Sequence, residues 1–194
     1  KPKLALLIFI YVAIAVLAVL AILHWNKLGF QLVLAMSAFH FGFGDAAFIA
    51  EQDRLTGRPR IKPKTQNMFA ITSGAIPVLI PLLKDSTTSA LREINPLLID
   101  WASDSAPQLK FLVAFFFVTT LVLLINEKRI REVIDLIVLA ALALIAPPLV
   151  AFAVYFGCWH AMRHTARLTL ILPKAKSAAE RNNPASSFMS AVKP

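Results

Sequence analysis

Two histidines near the end of the chain have the spacing of a metal-chelating pair. His160 and His164 stand four residues apart inside a nearly unbroken apolar run from Val150 to Leu172. If this run is helical, positions four apart lie on one face, so the two imidazoles are presented side by side. Ionisable side chains at membrane depth are costly and indicate a functional site. The pair therefore predicts metal binding within a membrane-spanning helix.

A third histidine, His40, lies in another apolar run, residues 28–50. Both helices are predicted to begin on the outer side of the membrane. At a rise of about 1.5 Å per residue, His40 lies roughly 18 Å from the start of its helix. His160 and His164 lie roughly 15 and 21 Å from the start of theirs. All three imidazoles are thus predicted at one level near the bilayer centre. Neutral imidazoles suit Zn, Cu, Fe or Ni, so the residue types alone do not select the metal.

The composition is that of an integral membrane protein. Hydrophobic residues make up 58% of the 194 residues, above the roughly 45–50% of soluble domains. Apolar runs of about 16–23 residues lack the alternation of a transmembrane β-strand. The net charge of +9 comes mainly from lysines and arginines in short loops, so it does not indicate a nucleic-acid partner. The predicted fold class is all-α, a polytopic transmembrane helical bundle.

Residues 1–172 are predicted to form one transmembrane domain with six spans. The spans are residues 4–23, 28–50, 68–83, 109–126, 133–146 and 150–172. The polar residues 173–194 are predicted to be a disordered cytoplasmic tail. Six crossings place the basic loops, 51–65 and 127–132, on the same side as this tail, as the positive-inside rule requires. The predicted location is the inner (plasma) membrane of the cell, with the lipid bilayer as surroundings.

Other side chains near the histidines are predicted to support the site. Asp45 comes five residues after His40 and does not share its helical face, so we expect it beside a ligand, or paired with Arg163, and not on the metal itself. Small and aromatic residues of the same runs are predicted to line a substrate tunnel, although such aromatic residues also suit packing. The tunnel residues are Phe41, Tyr155, Gly157 and Trp159.

Two motifs contain these histidines. Residues 39–45 read FHFGFGD, and residues 155–164 read YFGCWHAMRH. Together, in order and spacing, they resemble the paired signatures of the bacterial and archaeal Brp/Blh family of β-carotene 15,15′-dioxygenases. The resemblance extends over roughly residues 4–172. The combination is fairly specific, whereas either motif alone is a weak signal.

The resemblance implies a multi-span membrane enzyme with histidine-ligated, non-haem Fe(II). Such an enzyme cleaves β-carotene with O₂ into two retinal molecules, usually for a microbial rhodopsin. By position, His40, His160 and His164 match iron ligands of the family. The family also has a histidine on an N-terminal helix with an HG-x-x-D-like motif, which this sequence lacks. Either one more span precedes Lys1, which we expect, or this protein departs from the family pattern. A homo-oligomer is left open by the sequence.

Other functions remain open at the level of sequence. A transporter or proton pathway would use the three histidines with Asp45 and Arg163 as a relay, and a haem-binding membrane subunit would also use mid-membrane histidines. A histidine-box desaturase has a di-iron centre with many more histidines than the four present. A zinc protease would have a glutamate in place of Ala161. Metal analysis and product chromatography distinguish these functions.

Overall fold

The computed structural model describes residues 2–94, 96 and 100–192, and in these ranges it contains helices and no strand. The all-helical prediction is therefore confirmed. Three of the described helices, at Leu4–His24, Asn26–Thr56 and Ala106–Asn126, are long and apolar enough to cross a membrane. The helices in chain order are α1 (Pro2–His24), α2 (Asn26–Thr56), α3 (Pro63–Leu82), α4 (Asp85–Ile94), α5 (Ala106–Asn126), α6 (Ile130–Ile145), α7 (Pro148–Val154), a π-helical turn (Tyr155–His160), α8 (Ala161–Ile171), α9 (Pro173–Glu180) and α10 (Pro184–Val192).

The helix α2 continues beyond its predicted end. It runs on to Thr56, whereas a loop was expected over residues 51–65. The loop prediction was therefore wrong for residues 51–56. Gly57 ends the helix with a left-handed backbone (φ 66°) and a bond from its N–H to the carbonyl of Asp53. Glycine adopts this conformation without the strain that a Cβ would bring. The extra turns bring Glu51 and Asp53 onto a helix.

The helix α3 lies in the middle of the bundle and contacts α2, α5, α6 and α7. Its contact with α2 is made backbone to backbone. A Cβ on Gly42 would lie 1.8 Å from the carbonyl oxygen of Ala70, and one on Gly74 would lie 1.9 Å from that of Ala38. Small residues let helices in lipid approach this closely. The contact fixes α2, and with it His40, relative to the rest of the bundle.

A buried cluster of charges joins α2 to the start of α6. Nη2 of Arg129 donates to both carboxylate oxygens of Asp53 at 2.8 and 2.9 Å and to Oε1 of Glu132 at 2.7 Å. Nε of Arg58 lies 3.9 Å from Oδ1 of Asp53, and Nη2 of Arg58 lies 3.5 Å from Oε1 of Glu132. The side chains of Arg129, Asp53 and Glu132 are buried. The sequence predicted that the basic residues of the 127–132 turn set the membrane topology. Arg129 also forms ion pairs with Asp53 and Glu132 inside the protein.

Replacing Arg129 by methionine is expected to destabilise the protein by about 3–5 kcal/mol, because it leaves buried carboxylates without their main partner. Unfolding of the purified protein by a denaturing detergent measures the loss. The matched control is Arg131→Met, since Arg131 is exposed near the same turn, and we expect a change within about 0.5 kcal/mol. Equal losses in the two variants would contradict the structural role of Arg129.

The C-terminal segment differs from its prediction. Over residues 173–192, where disorder was expected, the structure has the helices α9 and α10, which pack on each other, with α8 beside them. Small side chains make this close packing possible, because Ala175, Ala178, Ser187 and Ala191 are all buried. The hydroxyl of Ser187 donates to the carbonyl of Ala175 at 2.8 Å. Residues 193–194 of the predicted tail lie outside the described residues.

Candidate functional site

An open groove runs along α2 and the segment formed by the π turn and α8. Its volume is about 640 Å³, within the range of about 300–1,000 Å³ of small-molecule sites. Most of its wall is apolar, and the three candidate histidines are its main polar groups. The lining residues are Ala35, Met36, Phe39, His40, Phe43, Gly44, Ala47, His160, His164 and Arg167. An apolar ligand would meet three imidazoles in this groove.

Two of the imidazoles are neighbours in the groove lining, with their ring planes tilted by 60°. The ring centres of His40 and His160 are 5.7 Å apart, close to the roughly 5 Å between two imidazoles that bind one ion at about 2.1 Å. Nδ1 of His160 is buried and has no hydrogen-bond partner. His164 lies on the same groove wall. Among the described residues, however, no three His, Cys, Asp or Glu side chains are grouped to hold a metal ion. The structure therefore offers an imidazole pair with a third imidazole nearby.

The π turn sets the direction of His160. It spans Tyr155–His160 and interrupts what would otherwise be one regular α-helix. A π turn holds more residues per turn than an α-helix, so it rotates the following side chains around the axis, and such turns are frequent at functional sites. Gly157, within the turn, faces open space, since a Cβ there would have no atom within 4 Å. Residue counting along a regular helix does not foresee this rotation.

The imidazole of His160 is held between a glycine and two buried aromatic rings. A Cβ on Gly44 would lie 3.1 Å from Cε1 of His160. On the inner side, the ring centre of Phe41 is 4.8 Å away and that of Tyr155 is 6.1 Å away. Both aromatic side chains are buried. The ring has little freedom to move toward either side.

The four predicted tunnel residues lie outside the groove lining. Phe41 and Tyr155 support His160 from behind, as described above, and Gly157 faces outward. The indole ring of Trp159 lies 4.1 Å from the guanidinium carbon of Arg163. The apolar wall of the groove comes instead from α2, whose Met36, Phe39 and Phe43 are exposed on this side. Whether any predicted tunnel residue touches a substrate stays a prediction.

Both predicted supporting residues lie next to His160. Asp45 is fully buried, and its Oδ1 is 4.0 Å from Nδ1 of His160 and 3.6 Å from Nη1 of Arg163. Nη2 of Arg163 donates to Oδ2 of Asp135 on α6 at 2.7 Å. Asp135 was absent from the predicted site, although an acidic residue alone in an apolar run marks a candidate functional position. The cluster connects α2, α6 and α8 behind the imidazole.

Comparison with known proteins gives one clear match. The family model described as Beta-carotene 15,15′-dioxygenase matches residues 1–193. No curated protein matches the chain, and no solved structure does. The match covers nearly the whole sequence and confirms the resemblance seen in the two histidine motifs. The chain belongs to the beta-carotene 15,15′-dioxygenase family.

Proposed function

We propose that this protein cleaves β-carotene at its central double bond with O₂ to give two molecules of retinal. The observation that carries the proposal is an apolar groove with imidazoles in its wall, in a chain of this family. One oxygen atom enters each aldehyde, so the reaction balances without a further reductant. β-Carotene has no polar group, so it would be held by van der Waals contacts with apolar side chains such as Met36, Phe39 and Phe43.

We propose Fe(II) as the cofactor, held by His40, His160 and His164. Imidazole suits iron, and few protein ligands leave positions open. The Asp45 carboxylate, whose Oδ1 is 4.0 Å from Nδ1 of His160, would stabilise a proton on that nitrogen, and His160 would then bind the ion through its other ring nitrogen. Bound iron would supply the redox chemistry by which O₂ reacts with a carbon–carbon double bond. The buried aromatic rings behind His160 keep water from that side of the ring.

We propose that the chain crosses the inner membrane six times, with its C-terminus in the cytoplasm. The six crossings are α1, α2, α3, α5, α6 and the segment 148–171. The distribution of lysine and arginine supports this topology, and the almost wholly exposed apolar side chains of α1 suit contact with lipid. The groove would then open sideways into the bilayer, so β-carotene could enter without crossing water. The retinal would supply a microbial rhodopsin.

The reaction is tested with the purified protein in detergent micelles, supplied with Fe(II), β-carotene and ¹⁸O₂. We expect retinal as the single chain-length product, two per β-carotene consumed, each with one labelled oxygen before exchange with water. Removal of iron by a chelator should stop the reaction, and renewed Fe(II) should restore it. Apocarotenals of unequal length, or no cleavage by a folded, iron-loaded protein, would refute the proposed reaction.

Replacing Gly44 by alanine tests the fit around His160. The added Cβ would meet Cε1 of His160 at 3.1 Å, so the ring must shift by a few tenths of an ångström. We expect about a tenfold fall in retinal formation with the fold retained, because small displacements of reacting groups are costly. Activity and thermal unfolding are measured together. Ala47→Gly, a change of similar size on the same groove wall, is the control; full activity in Gly44→Ala would show that this contact is unimportant.

A further inference from the structure

A second cavity lies between α3, α5 and α6, at the end of the bundle where α5 begins. Its volume is about 530 Å³, and it shares no lining residue with the histidine groove. Most of its lining is apolar, and its three charged lining residues lie just after α3 and near the start of α5; we call this charged end the mouth. The apolar lining consists of Ile76, Ile80, Leu83, Val113, Ala114, Phe117, Ala140 and Leu144, and the charged residues are Lys84, Asp85 and Lys110.

The charges at the mouth favour an anion. Lys84 follows the end of α3, and its ammonium donates to the carbonyl of Ala146, just after α6, at 2.7 Å. This bond holds the ammonium across the mouth and leaves two of its N–H groups for another acceptor. Lys110 and Asp85 are exposed there, so two cations stand against one carboxylate. An apolar chamber below a positive mouth matches an amphiphile with an anionic head.

We propose that this cavity binds an anionic phospholipid, with an acyl chain between α3, α5 and α6 and the phosphate at Lys84 and Lys110. The volume is typical of sites that enclose a small molecule. The apolar walls would pack against the acyl chain, and the ammonium groups would pair with the phosphate. A bound lipid would stabilise the folded protein, because it binds only when the three helices are assembled. This binding is independent of the metal and of β-carotene.

The test uses the purified full chain and two lipids with the same acyl chains, phosphatidylglycerol and phosphatidylcholine. Native mass spectrometry counts the bound lipids, and thermal unfolding in mixed micelles measures stabilisation. We expect one tightly held phosphatidylglycerol, about tenfold preferred over phosphatidylcholine, and a higher Tm with phosphatidylglycerol. Equal retention and equal Tm shifts with the two lipids would overturn the proposal.

Two kinds of variant test the contact with the lipid phosphate and the contact with the acyl chain separately. Lys84→Gln with Lys110→Gln should remove the preference for phosphatidylglycerol, whereas Lys27→Gln with Lys128→Gln, the same change of charge outside the cavity lining, should keep it. Ala140→Phe fills the chamber and should lose the bound lipid with both lysines present; Ala114→Phe serves if that variant does not fold. Loss of the preference in the control pair, or lipid retained by the filled cavity, would contradict the site.

Discussion

Alanine at Gly42 is expected to prevent stable folding, with a loss of about 3 kcal/mol or more. Its Cβ would lie 1.8 Å from the carbonyl oxygen of Ala70. That oxygen belongs to the backbone of α3 and cannot rotate away, so α2 and α3 must separate. Gly74→Ala meets the carbonyl oxygen of Ala38 at 1.9 Å and should behave alike. The yield of monodisperse protein and the Tm measure the effect.

The matched control for both glycines is Gly157→Ala. Gly157 also lies in a helical segment, but a Cβ there would have no atom within 4 Å. We expect unchanged yield and Tm, since alanine is no worse than glycine in a helix. If Gly42→Ala folded as well as Gly157→Ala, the close approach of α2 and α3 would be disproved, and with it the placement of His40 opposite His160.

Alanine at His40 or at His160 is expected to lower retinal formation by more than about 100-fold. Substitution of groups that merely orient metal ligands typically costs about 10–100-fold, and loss of a ligand should cost more. Both variants should keep the wild-type Tm within a few degrees, because His40 is exposed in the groove and His160 is only partly buried. Activity per folded protein is the quantity to compare.

The control is His24→Ala. His24 ends α1 and packs edge-on against Trp25, with ring centres 4.9 Å apart, so it has no part in the groove. This variant should retain nearly full activity. Similar activity in His24→Ala, His40→Ala and His160→Ala would show that the imidazole pair takes no part in the reaction.

The proximity of the candidate histidines could be predicted from sequence because helix geometry follows local rules, whereas the four predicted tunnel residues lie outside the groove lining. Apolar runs predicted the helices, and counting residues along two of them brought His40 and His160 to the same depth. Their rings are indeed neighbours. The four-residue spacing likewise brought His164 onto the groove wall that His160 occupies. The family resemblance rested on these same residues, and the family match confirms it.

The parts that could not be predicted depend on contacts between distant segments. The π turn changes the face on which Gly157 lies, and no simple residue pattern marks such a turn. The pairing of Arg163 with Asp135 joins residues 28 positions apart, and that of Arg129 with Asp53 joins residues 76 apart. The sequence also does not show which face of α2 lines the groove, because that depends on which face packs against α3.

The proposed iron centre is tested most directly by the iron content and X-ray absorption spectrum of the purified protein. We predict about one iron per chain, coordinated by imidazole nitrogens at about 2.1 Å, with iron content falling sharply in His40→Ala and His160→Ala and unchanged in His24→Ala. Iron bound equally by all four proteins, or a spectrum without imidazole scattering, would contradict the assignment of these histidines as its ligands.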